Sequence, residues 1–171
     1  TCNAGQYGRF LCVDAPIGKY VSLNGAMYAT DASAGHYVDQ TGQTSQTPCS
    51  IGSYNPNTSS TNVSACLNAD TGYFVNQTAA IAQTPCPTGA YQTLTGQSSC
   101  YDADVGNYVQ DTGQSSQTPC SRGTYQSQTG QNSCDEADVG HYVQGIGQSF
   151  QSCQIRSVVQ KQVVYHLNIH Q

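Results

Sequence analysis

Nine cysteines, at positions 2, 12, 49, 66, 86, 100, 120, 134 and 153, are the residues best suited to chemistry in this 171-residue chain. Thiols at such density either bind metal or pair with one another. The C-x-x-C pairs and histidine ligands of a zinc module are absent, which leaves disulfides and an oxidising compartment. Cys66, Cys100 and Cys134 recur every 34 residues, as do Cys86 and Cys120. Two pairing schemes fit that period. Short loops give Cys2–Cys12, Cys49–Cys66, Cys86–Cys100 and Cys120–Cys134, with Cys153 unpaired. Longer loops give Cys66–Cys86, Cys100–Cys120 and Cys134–Cys153, and strand Cys2, Cys12 and Cys49. Unpaired thiols do not persist in numbers where oxidation is easy, so the short loops are predicted.

Other reactive groups are scattered. Asp102-Ala103-Asp104-Val105-Gly106 and Glu136-Ala137-Asp138-Val139-Gly140 resemble the opening of a calcium loop, but no bidentate Glu follows, and other copies carry Pro16 or Ser33 there. These read as turns whose carboxylates accept backbone N–H groups. His36 and His141 share a repeat position with Lys19, Tyr73 and Asn107, which marks it as solvent-facing. His166 and His170 stand four apart with no neighbouring carboxylate, so no metal site is predicted. No G-x-S-x-G, H-E-x-x-H, P-loop or GxGxxG motif occurs. The chain reads as no enzyme, with no cofactor. Its expected attachments are glycans, N-linked at the sequons of Asn57, Asn62 and Asn76, or O-linked, which would help a chain with so few charges stay in solution.

The elements that position these residues must be held by something other than a large core. Leu, Ile, Val and Phe number only 27, there is no Trp, and charged residues make up 9% with a net charge of −5. The fold class expected is all-β and disulfide-rich: an elongated tandem array of 17-residue hairpins in 34-residue double repeats, with little helix. Each hairpin is built on Gly-x-Tyr, with the aromatic at Tyr7, Tyr20, Tyr37, Tyr54, Phe74, Tyr91, Tyr108, Tyr125 or Tyr142. A strand around Tyr108-Val109-Gln110, a turn at Asp111-Thr112-Gly113 and a return strand from Gln114 to Gln117 are expected. Such hairpins are marginal alone and should stack, with the rings in one column forming nearly all the core. That stack is preferred to a carbohydrate-binding platform. Hairpins without a staple should depend on stacking alone.

Three regions follow: irregular repeats at 1–34 with one period apparently deleted, regular cysteine-rich repeats at 35–153 with an insertion near 55–63, and a divergent strand-like tail at 154–171. The tail reads as a cap, an intersubunit strand or a frame-shifted end. There is no signal peptide, apolar membrane span or initiating Met, as in a mature chain or a fragment. Five Lys and Arg against ten Asp and Glu offer no surface for nucleic acid.

The recurring Cys-x-x-Gly-x-Tyr, as in Cys86-Pro87-Thr88-Gly89-Ala90-Tyr91 and Cys120-Ser121-Arg122-Gly123-Thr124-Tyr125, resembles the ephrin-receptor-like (GCC2/GCC3) cysteine-rich repeats and, more distantly, those of tumour necrosis factor receptors. The resemblance covers residues 1–153. It implies an elongated extracellular array of disulfide-stapled β units without catalytic activity. The function expected is therefore that of a secreted or cell-surface structural repeat glycoprotein, self-associating as the subunit of a filament, appendage or coat. The alternative is a binding ectodomain, a receptor or adhesin stalk that presents a ligand face.

Overall fold

The computed structural model describes residues 1–153; the tail expected at 154–171 lies outside the described residues. Within them the chain is a succession of nine antiparallel two-stranded hairpins, joined end to end, with one short 3₁₀ turn at Val63–Ala65. Each hairpin is named here for its marker glycine: Gly5, Gly18, Gly35, Gly52, Gly72, Gly89, Gly106, Gly123 and Gly140. The array is all-β, repeated and disulfide-rich, as its composition implies.

Each hairpin opens with a tight turn. In the Gly89 hairpin the N–H of Ala90 donates to the carbonyl of Pro87 at 3.1 Å, and Gly89, third in that turn, has φ +82°. A type II turn requires positive φ there, so glycine is dictated by the backbone. Ala90 and Tyr91 then pair with Asp102 and Tyr101 across the hairpin.

The ladder is shorter than the sequence implies. In the Gly106 hairpin the strands are Asn107–Tyr108 and Thr118–Pro119, not 108–110 with 114–117. Val109 leaves its own hairpin because its backbone is committed to the neighbours. Its carbonyl accepts from the N–H of Gly89 at 2.8 Å, and its own N–H donates to the carbonyl of Gln131 at 3.0 Å.

Those two bonds recur at every junction, from Gly5 with Val21 to Gly123 with Val143, and from Gly8 with Ala26 to Gln126 with Gln148. A third bond skips one hairpin. From the Gly35 hairpin onward, the N–H in the far turn donates to the carbonyl of the alanine or cysteine at the junction between the two preceding hairpins, as Gly113 does to Cys86 and Gly130 to Ala103, both at 2.8 Å. Backbone amides are thus satisfied between units, and each unit is tied to its next and next-but-one neighbours. The array grows in one dimension.

The core is a pair of columns of small side chains. One holds Ala15, Ala32, Cys49, Ala69, Cys86, Ala103 and Cys120, none more than 1% exposed. The other holds the residue after each aromatic from Tyr20 onward: Val21, Val38, Asn55, Val75, Gln92, Val109, Gln126 and Val143, all buried. The expected column of aromatic rings is not what fills the interior. Tyr7, Tyr20, Tyr37, Tyr54, Phe74, Tyr91, Tyr108 and Tyr125 are half-buried and Tyr142 is exposed. Among the described residues the ring pair found is Tyr91 with Tyr101, at 6.2 Å and tilted by 50°, across one hairpin. Side chains alternate along a strand, so the residue after the aromatic takes the interior. The rings lie on the flank, where Tyr54 and Tyr73 pack against Ala69, Val75 and Ala80.

Candidate functional site

The side chains that close each hairpin form the chain's repeated chemical feature. The bridges are Cys2–Cys12, Cys49–Cys66, Cys86–Cys100 and Cys120–Cys134, with Cα separations of 5.3 to 5.8 Å, inside the range that disulfide geometry allows. They staple the Gly5, Gly52, Gly89 and Gly123 hairpins. Cys153 is an exposed free thiol.

Three of the unstapled hairpins carry a different closure that sequence reasoning missed. In the Gly106 hairpin the backbone N–H of Asp104 donates to Oε1 of Gln117 at 2.7 Å, while Nε2 of Gln117 donates to the Asp104 carboxylate at 2.7 Å. The same reciprocal clasp joins Asp70 to Gln83 at 2.7 Å in both bonds, and Asp138 to Gln151. In the Gly35 hairpin half of it survives, from the N–H of Ser33 to Gln46 at 2.7 Å. In register, Gln83 and Gln117 stand where Cys100 and Cys134 stand in the stapled copies. The acidic segments are therefore clasps: the Asp104 carboxylate accepts a side-chain amide rather than the backbone N–H expected, and these hairpins do not rely on stacking alone.

The Gly18 hairpin has neither closure, because Pro16 and Ala29 occupy the two positions. An ion pair from Lys19 to Asp31 replaces it across the strand pair, and the hydroxyl of Ser59 donates to the same carboxylate at 2.7 Å. These two hydrogen bonds hold the Asp31 carboxyl below its usual value of 3.8.

The stapled hairpins differ in their second buried column too. Asn55, Gln92 and Gln126 replace valine there. Gln92 donates to the carbonyl of Ser99 at 2.8 Å and accepts from the N–H of Leu94 at 3.0 Å. Gln126 repeats this with Ser133 and Gln128, both at 3.0 Å. Asn55 reaches the carbonyl of His36 and the hydroxyl of Ser60. These amides bind the loop of their own hairpin or its neighbour. Among the described residues no buried side-chain polar atom lacks a partner.

The remaining sequence candidates are dispersed. Asn57 and Asn76 are exposed, whereas Asn62, also exposed, caps the 3₁₀ turn by accepting from the N–H of Ser64 at 2.9 Å. His141 is exposed, and His36 is half-buried with Nδ1 3.2 Å from the carbonyl of Ala34. His166 and His170 lie outside the described residues. No group of three metal-ligating side chains occurs among the described residues, and no helix there is long and apolar enough to cross a membrane.

Surface chemistry differs between copies, most visibly at the two ends of the described array. The first two hairpins expose Phe10 (95%), Tyr28 (82%), Leu11 (76%) and Leu23 (73%), with the guanidinium of Arg9 5.5 Å from the Phe10 ring centre. At the position of Tyr28 the later stapled copies carry Ser99 and Ser133, whereas the Gly140 hairpin carries Phe150, 62% exposed, near the exposed Val139 and Ile146.

No family model matches the chain, and no curated protein matches it either.

Proposed function

We propose that this chain is a non-catalytic extracellular structural repeat protein, the rod-forming part of a surface filament, appendage or coat. The observation that carries the reading is the unbroken set of backbone bonds between units, repeated at each junction and centred on the column of alanine and cysteine. Such an array resists bending and stretching through many equivalent weak bonds, and its side-chain variety is spent on closing hairpins. Four disulfides fit an oxidising compartment. The likeness to ephrin-receptor-like repeats and the open sequons at Asn57 and Asn76 support a secreted glycoprotein. Electron microscopy of the purified chain tests the reading: ordered fibres or sheets are expected, and dispersed single particles at high concentration would defeat it.

A second reading, a binding ectodomain, is favoured by one observation. Phe10, Leu11, Leu23 and Tyr28 gather on the first two hairpins, as Val139, Ile146 and Phe150 do on the last described one, and interchangeable copies would not differ in this way. Replacing Phe10 and Leu11 by serine separates the two readings: a rod keeps its assembly, and a binding stalk loses attachment to its target surface.

A further inference from the structure

Moving the aromatic rings from the core to its flank leaves them beside grooves between successive hairpins. One of about 630 Å³ runs between the Gly106 and Gly123 hairpins along the half-buried Tyr108. Gln110, Thr118, Thr124, Asn132 and Ser133 line it, and no lining side chain is charged. The corresponding place between the Gly5 and Gly18 hairpins is a smaller groove of about 190 Å³ lined by Tyr7, Lys19, Tyr28 and Ala29. The groove thus recurs at a second junction and is wider at Tyr108, where Ser133 stands in place of Tyr28.

We propose that the Tyr108 groove binds a neutral oligosaccharide. A sugar has an apolar C–H face and an edge dense in hydroxyls that donate and accept. Tyr108 offers an aromatic flank for the first, and Gln110, Thr118, Thr124, Asn132 and Ser133 offer amides and hydroxyls for the second. The volume accommodates about two to three sugar rings, within the usual span of small-ligand sites. Absence of charge in the lining selects against uronic acids, sulfates and phosphates, and the chain's net charge of −5 repels acidic polymers further. The second groove at Tyr7 would let a long polysaccharide engage two weak sites at once, so that a rod also adheres to a glycan coat.

Affinity electrophoresis of the full chain through gels containing a neutral glucan, mannan or galactan tests this, with alginate and a proline-rich peptide as competitors. Retardation by at least one neutral polymer is expected. Tyr108→Ala should weaken it about tenfold, the scale of one lost aromatic contact, while Tyr108→Phe keeps it. Asn132→Arg, at an exposed rim position, should obstruct the groove and weaken binding about tenfold as well. Disulfide mapping confirms that each variant keeps its four bridges; should Tyr108→Ala fail to fold, Asn132→Arg decides. No retardation by any neutral polymer, preference for alginate or the peptide, or binding unchanged in the folded variants would overturn the proposal. The rod reading stands or falls separately, on microscopy.

Discussion

Replacing Gly89 by alanine isolates what holds one hairpin onto the next-but-one. Gly89 has φ +82°, and a Cβ built on it would lie 2.1 Å from the carbonyl oxygen of Gly130 and 2.7 Å from its carbon. Left-handed backbone costs an alanine about 1–2 kcal/mol. Relief of the clash requires the Gly123 hairpin to move away from the Gly89 hairpin. That movement disturbs the three bonds that tie the Gly123 hairpin to the units before it: Gly130 to Ala103 at 2.8 Å, Gly106 to Gln126 at 2.7 Å and Val109 to Gln131 at 3.0 Å. At about 0.5–1.5 kcal/mol each these add about 1.5–4.5 kcal/mol, for a total near 2.5–6.5 kcal/mol. Gly113→Ala is the control. Its φ is +72°, yet the nearest neighbour of the new Cβ, the Tyr73 hydroxyl, would be 3.6 Å away. Only the cost of about 1–2 kcal/mol for the left-handed backbone applies there. Native-state hydrogen exchange of the oxidised protein reads both, because a one-dimensional array opens locally. Gly89→Ala should deprotect the amides of Gly106, Val109 and Gly130 together. Equal destabilisation by the two variants, within about 0.5 kcal/mol, would refute the reasoning.

Further outcomes follow from the closures. The double variant Ala103→Cys with Gln117→Cys reproduces the 14-residue spacing of Cys86–Cys100 in a clasped hairpin, and should form a fifth disulfide visible by peptide mapping, its loop-entropy gain near 3 kcal/mol offset by about 1–3 kcal/mol for the two clasp bonds lost with Gln117. Ala79 holds φ +56° where most copies have glycine, so Ala79→Gly should stabilise by about 0.5 kcal/mol in urea unfolding, the strain relieved exceeding the added chain entropy. The Asp31 carboxyl is held below 3.8 by Lys19 and Ser59. A depressed folded pKa means stability present above the unfolded value and lost as pH falls through the folded one. Acid titration should therefore show a small loss of stability below about pH 3.8 that Asp31→Asn abolishes. Non-reducing alkylation should label one thiol per chain, Cys153; two or more labels would contradict the four bridges.

The parts of this fold legible in the sequence are those that the backbone imposes on single residues. Gly89 is dictated by its turn, and its recurrence every 17 residues marks the hairpins without reference to anything distant. Cysteine spacing was legible for a similar reason: the alternative pairing strands three thiols. What escaped depends on contacts between units. Val109 reads as a strand residue beside Tyr108, but its backbone partners are Gly89 and Gln131, 20 and 22 positions away, and nothing in its type announces them. Gln117 stands 13 residues from Asp104 in a chain full of glutamine, so the clasp had no distinctive signal until the hairpin placed the two together. The tyrosines misled through size. In a hairpin with two-residue strands, whichever residue follows the ring reaches the interior, and the columns there admit only Ala, Cys, Val, Asn and Gln.

Alternation of staple and clasp reconciles two periods, 17 in the backbone and 34 in the cysteines. Every hairpin makes the same backbone bonds, so the backbone gives no reason for a longer repeat. The reason lies in the thiols. Were cysteine to occupy each place in the buried column and each place at the return strand, every thiol would have competing partners one hairpin away. The existing alternatives already differ little in chain entropy. Closing Cys86 to Cys100 spans 14 residues and closing Cys100 to Cys120 spans 20, a difference worth only about 0.3 kcal/mol. Loop length therefore does not select the native bridge; the folded hairpin must. With alanine at 103 and glutamine at 117, Cys100 and Cys120 stay in separate hairpins, and the clasped unit between the stapled ones acts as a spacer that keeps the wrong thiols apart. The clasp supplies its own hairpin with a closure needing no oxidant. Units of this kind can accordingly be added to the array without adding any new way to misbridge it.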